Sequence, residues 1–195
     1  MVNAVKQVIG FLTWNFVLLT SSKRKCQGMQ VALAHASALS DEVLAQIDSA
    51  LLLMEQFDPL GFARLRRCLK CVVVLQTGGP AFIPPIRGCI LGESLVLSST
   101  STGLALMLVH EAAHARLWQL GFRYGSTIRS RIERFCIRCE IAFASRLPES
   151  DTTVPWVRQK LTHDELWTDE SLRKRRQIQL ADLDLPVWLR RVLGS

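Results

Sequence analysis

Between Leu104 and Leu120 the chain is apolar on almost every side of a helical projection, yet it carries His110-Glu111-Ala112-Ala113-His114 in the middle of that stretch. A helix apolar all round belongs in a protein core rather than on its surface. Three polar side chains on one of its turns are therefore expensive to bury without a partner. Ser98 to Thr102 offers N-cap candidates at one end, and Gly121 follows Leu120 as a natural C′ residue at the other. The segment thus predicts a buried helix whose polar turn has a reason to be there.

Residues four apart lie one turn apart on the same helix face, so the two imidazoles point the same way. That is the arrangement that gives one Zn²⁺ two nitrogen ligands. Glu111 projects about 100° round the same turn, where it can act as general base on a water activated by the metal. A third protein ligand has to come from elsewhere. The helix expected over Thr127 to Leu147 supplies candidates: Arg131, Arg134 and Arg138 fall on one side, and Ile132, Cys136, Ile137, Cys139, Phe143 and Ala144 on the other. Glu133 and Glu140 lie within that apolar side, where a carboxylate requires a cation or a strong hydrogen-bond donor.

The motif and its spacing resemble the zinc metallopeptidases called zincins, and within them the gluzincin branch, whose third ligand is a Glu on a following helix. From His114 to Glu133 there are 18 intervening residues, the spacing of the gluzincin aminopeptidases. The resemblance covers about Ser98 to Leu147. It implies zinc held by His110, His114 and Glu133 with Glu111 as base, while Glu140 stands as the alternative third ligand or as acceptor for a histidine N–H. Ile137 occupies the place where that branch often has Asp, and no exopeptidase motif lies upstream. Zincins also commonly use a donor to the reacting carbonyl, and Tyr124 and His163 are the candidates. The implied activity is hydrolysis of a peptide or protein substrate. The alternative is a metal-binding regulator or interaction protein on the same fold.

The expected fold is α+β and zincin-like: a small twisted sheet packed on the buried HExxH helix and the following Glu-bearing helix, with further helices at both ends. A chain of 195 residues has room for one good core. Residues 1–25 read as an apolar N-terminal helix, 26–150 as the catalytic core and 151–195 as a helical extension packed on it. Within the core, Ser40-Asp41 opens a helix to about Phe57, and Asp58-Pro59 breaks it. Lys70 to Gln76 reads as a buried strand, Thr77 to Pro80 as a turn, and Ala81 to Ile86, with two prolines, as an edge or irregular segment. Ser94 to Ser98 reads as a short strand leading into the HExxH helix. Toward the C-terminus, Thr162 to Glu165 and Thr168 to Glu170 look like helix starts, and Pro186 opens a last short helix.

Mean hydropathy is +0.19, which the apolar run Val8 to Thr20 partly explains. Thirteen residues fall short of the roughly 20 needed to span a bilayer. The segment reads either as an ordinary core helix or, with Lys23-Arg24-Lys25 directly after it, as an interfacial helix held near anionic headgroups, which would make residues 2–25 a membrane surface. No secretory cleavage site is apparent, and the expected location is cytoplasmic, with membrane association through this segment. The net charge of +7 resides in separate basic runs without aromatic interleaving, so no specific nucleic-acid partner is expected. Of six cysteines, Cys68/Cys71 and Cys136/Cys139 form C-x-x-C pairs, but more than 60 residues separate the pairs and the expected state is reduced, buried thiols.

Overall fold

A computed structural model describes residues 12–34, 37–125, 127–162, 167–168, 170–171 and 174. The architecture is α+β. A helix α1, described over 12–20, precedes strands β1 (Ser22–Cys26) and β2 (Met29–Leu33). Helices α2 (Ser40–Phe57) and α3 (Pro59–Cys68) lead to β3 (Cys71–Leu75). Then follow β4 (Ala81–Ile83), a 3-10 turn over Pro84–Ile86, β5 (Gly88–Gly92), α4 (Glu93–Ser98), α5 (Ser101–Gln119), α6 (Arg129–Ala144) and α7 (Ser150–Gln159).

The five strands form one sheet in the order β1-β2-β3-β5-β4. The inner three are parallel, and β1 and β4 run antiparallel along the two edges. Val72, Val73 and Val74 of β3 are all buried, as expected for a central strand covered on both faces. The larger core lies on one face, where Val31, Val72, Val74, Cys89 and Leu91 meet α2 and α5. The opposite face is smaller: Ala32, Cys71, Val73 and Ile86 pack against Trp14, Val17 and Leu18 of α1.

The HExxH helix is α5, and both its ends are fixed by local chemistry. Thr100 caps it, its hydroxyl accepting from the Gly103 N–H at 3.1 Å. At the other end Gly121 adopts φ 92°, its N–H donating to Trp118 and the Phe122 N–H to Leu117. This pair of bonds is a Schellman motif, which needs a left-handed residue at C′. Leu104, Leu106 and Leu108 are fully or almost fully buried, which confirms a core helix.

Three segments differ from the sequence expectation. Ser94–Ser98 is not a strand but lies in helix α4, capped from the extended Gly92 and packed on α2 through buried Val96. An apolar run this short has no periodicity that distinguishes one strand from one and a half helical turns. Asp58-Pro59 ends α2 and also begins α3, with Asp58 accepting from the Gly61 N–H and Pro59 in the first helical turn. Lys23, Arg24 and Lys25 lie in the sheet as part of β1, joined to β2 through Gln27 and Gly28, whose φ values of 44° and 73° make a hairpin turn of the primed type. At the far end, residue 150 opens α7, which packs on α6 and so joins the C-terminal part to the core. The Pro186 helix lies outside the described residues.

Gly121→Ala should destabilise the fold by about 1–2 kcal/mol, because a Cβ is strained at this backbone conformation. Urea denaturation of the variant checks it. An unchanged midpoint would show that the α5 terminus relaxes freely.

Candidate metal centre

Helices α5 and α6 pack together more extensively than any other pair of elements, and the polar residues of both meet at their contact. On α5, His110 and His114 lie one turn apart, with ring centroids 4.9 Å apart and their Nε2 atoms 3.1 Å apart. From α6, one Glu133 oxygen lies 3.2 Å from His110 Nε2 and the other 3.6 Å from His114 Nε2. Cys136, one turn further along α6, is fully buried. One donor atom each from His110, His114 and Cys136 lies within 4.8 Å of the others, so this group can hold a metal ion.

Glu140 stands on the far side of His110. Its carboxylate accepts from His110 Nδ1 at 2.6 Å and from Lys160 Nζ at 2.6 Å, and the residue is almost fully buried. A carboxylate on Nδ1 fixes the ring orientation and directs Nε2 toward Glu133 and His114. Tyr124 adds a second support. Its hydroxyl donates to Glu133, and its ring packs edge-on against His114 at 5.5 Å. His163 lies outside the described residues.

Glu111 is buried on the same turn and receives a hydrogen bond from the Phe82 backbone N–H of β4. Its pKa is raised to about 7: burial is the main cause, and the charges of Glu133 and Glu140 add to it against the opposing charge of His110. His110, Glu111, His114, Tyr124, Glu133, Glu140 and Lys160 all line one open cleft of roughly 1270 Å³, whose rim includes Ala81 and Phe82. β4 is the outermost strand, and its Ala81 and Phe82 belong to the wall of this cleft.

The electrostatics of the group without a cation are set by competition. Burial pushes the His110 imidazolium down, but hydrogen bonds to Glu133 and Glu140 outweigh it and raise the pKa to about 10. Burial, and then the neighbouring His110 charge, lower His114 to about 4. Glu133 is pushed up by burial but held below the usual carboxylate range by its hydrogen bond to His110 and the charges of both histidines. Burial foremost, then the charges of Glu133 and Glu111, push the Cys136 thiol far up, so its thiolate is disfavoured.

Sequence reasoning found both histidines, Glu111 and the inward face carrying Glu133 and Glu140. It treated Cys136 as a small hydrophobe, although its position three residues after Glu133 on that same face was a usable signal. Lys160 was missed, since no local pattern connects it to a residue 20 positions earlier. The C-x-x-C pairs do not converge: Cys71 belongs to the far face of the sheet and Cys136 to the α5–α6 contact, while Cys68 and Cys139 line a separate cavity between α3, α5 and α6. No family model, curated protein or solved structure matches the chain.

At pH 7 the group without metal thus carries a proton on His110, while His114 is neutral. A cation that takes both Nε2 atoms must expel that proton. Cation affinity should therefore rise with pH up to about 10, by roughly tenfold per unit. Uptake at pH 7 should release at least one proton, measured by calorimetry in buffers of different ionisation enthalpy. Uptake without proton release would remove His110 from the donor set.

Proposed function

We propose that the chain is a zinc-dependent hydrolase of peptide bonds. The observation that carries this reading is the convergence of His110, His114 and Glu133 beside Glu111 in an open cleft. Tetrahedral zinc with bonds of ~2.0–2.1 Å to nitrogen and oxygen has its donors roughly 3.3 Å apart. His110 Nε2 and His114 Nε2 stand 3.1 Å apart, close to that value, with one Glu133 oxygen 3.2 Å from the first and the other Glu133 oxygen 3.6 Å from the second. The donor set fits zinc in its chemistry too, since two imidazoles and one carboxylate are a common catalytic combination. Cys136 is the alternative third donor, but it must first lose a proton among carboxylates.

Bound in this group, zinc would supply a Lewis acid that polarises a carbonyl and makes a water acidic near neutral pH. The side chains of the chain do the rest. Glu111 takes the proton of the attacking water and returns it to the leaving amine. The Phe82 backbone N–H beside Glu111 favours the charged carboxylate. Glu140 and Lys160 hold His110 in register from behind. Tyr124 positions Glu133 and, at the cleft margin, is a candidate donor to a developing oxyanion. Apart from the Phe82 N–H, the outer edge of β4 suits an extended peptide, which pairs with a strand edge through its backbone.

A metal-binding regulator on the same scaffold is the second reading, and the buried, hydrogen-bonded state of Glu111 favours it. The Glu111→Gln variant separates the two. Under the hydrolase reading it keeps one zinc per chain and lowers cleavage of a casein or peptide-library substrate by roughly 10²- to 10⁴-fold. Unchanged cleavage would refute the role assigned to Glu111, and no cleavage by the zinc-loaded wild type would favour the regulator.

Elemental analysis of His114→Ala, Glu133→Ala, Cys136→Ser and Glu140→Ala tests the donor set. Zinc should be lost in the first two and retained in Cys136→Ser. Glu140→Ala should weaken binding by roughly 10- to 100-fold without abolishing it. Loss in Cys136→Ser with retention in Glu133→Ala would assign the third ligand to the thiolate.

A further inference from the structure

Helix α1 is apolar on two opposite sides. Trp14, Val17 and Leu18 face the sheet and pack on Ala32, Val73 and Ile86. Leu12, Phe16 and Leu19 are 61%, 67% and 78% exposed. At 100° per residue these three fall within about 60° of one another, opposite the packed side. An outward stripe of large apolar side chains on a helix already seated by its other side indicates a surface that another phase or partner covers.

The charge beside the stripe identifies the occupant. Lys23 pairs with Ala32 and Lys25 with Gln30 across the β1–β2 ladder. Directly opposed residues share a sheet face, and residues two apart on a strand share it as well. Ala32 contacts the packed side of α1, so Lys23 and Lys25 emerge on the face that α1 covers. Both lysines lie on exposed positions of an edge strand. An apolar stripe flanked by cations is the pattern that inserts into acyl chains while its ammonium groups meet anionic headgroups. A second protein copy would instead have to place like charges together at the rim. Among the described residues no helix is long and apolar enough to cross a membrane.

We propose that the α1 face, through Leu12, Phe16 and Leu19 with Lys23 and Lys25, docks the protein on the surface of an anionic lipid bilayer. Helix α5 and the cleft lie across the sheet from α1, so the docked protein keeps the cleft open to water. This inference is independent of the metal and of the proposed hydrolysis.

Co-sedimentation of the full chain with vesicles tests it, using phosphatidylcholine alone and phosphatidylcholine with phosphatidylglycerol. The wild type should bind the mixed vesicles and not the neutral ones, and raised salt should weaken binding. The double variant Lys23→Gln/Lys25→Gln should bind roughly thirtyfold more weakly. Phe16→Ser/Leu19→Ser should lose at least roughly tenfold, with an unchanged circular dichroism spectrum. Failure to bind mixed vesicles would overturn the proposal, as would binding indifferent to both double variants. A wild-type dimer in light scattering that Phe16→Ser/Leu19→Ser converts to monomer, without vesicle binding, would assign the stripe to a second copy instead.

Discussion

The contact between α5 and α6 depends on burying carboxylates against imidazoles. Glu111, Glu133 and Glu140 are all withdrawn from water in one small volume, with His110, His114 and Lys160 as the balancing groups. Removing a carboxylate from water costs several kcal/mol unless a cation or several donors replace its hydration. Glu140 is well provided for, with one donor at each oxygen. Glu133 likewise has a partner at each oxygen, the Tyr124 hydroxyl and His110 Nε2, but Glu111 has no such pair, and the acidic groups outnumber the permanent cation Lys160. The group therefore has an electrostatic demand for positive charge at the centre of three donor atoms. The proton held by His110, whose pKa those carboxylates raise to about 10, meets that demand in part, and a divalent ion would meet it more fully.

Much of the remaining fold serves to hold this turn still. A cap at Thr100 and a left-handed glycine at 121 determine where α5 begins and ends, and so which residues its middle turn presents. On one side the turn meets α6; on the other, Glu111 is tied to the backbone of β4. Because β4 hangs antiparallel on β5, any shift of the edge strand along the sheet would move the Glu111 partner with it. The chemistry of the site and the register of the sheet edge are thus a single geometric problem.

What the sequence disclosed follows from the range of the interactions involved. The α5 helix was legible because its pattern is local: a long apolar run, a hydroxyl before it, a glycine after it and two histidines one turn apart. The inward face of α6 was legible for the same reason, since Glu133 and Glu140 fall among apolar side chains at helical spacing. Lys160 and the Phe82 N–H were not, because each is delivered to the site by tertiary packing of a distant segment. Strand β1 was hidden by its position: a fully exposed edge strand of Ser-Lys-Arg-Lys has neither alternation nor a buried face to reveal it. The α4 segment misled for the converse reason, since five residues of mixed Ser and aliphatic character satisfy either period. The motif suggested a zincin-like class, of which the structure shows the coarser part, an α+β fold with one mixed five-stranded sheet.

The sheet divides the molecule into two surfaces with different chemistry. One face carries the large core, the α5–α6 contact and the cleft, and its side chains are selected by burial and by the demands of the polar group. The other is covered by α1, whose described residues pack through Trp14, Val17 and Leu18 against a small patch of the sheet. Packing on that one side gives no reason for the outer side to be apolar. Leu12, Phe16 and Leu19 each leave apolar surface in water, which is unfavourable by roughly 25 cal/mol per Å². Polar residues at those positions would keep the same packed side and avoid that penalty. The described residues thus explain the inner machinery by groups that touch one another, whereas none of them accounts for the outer stripe.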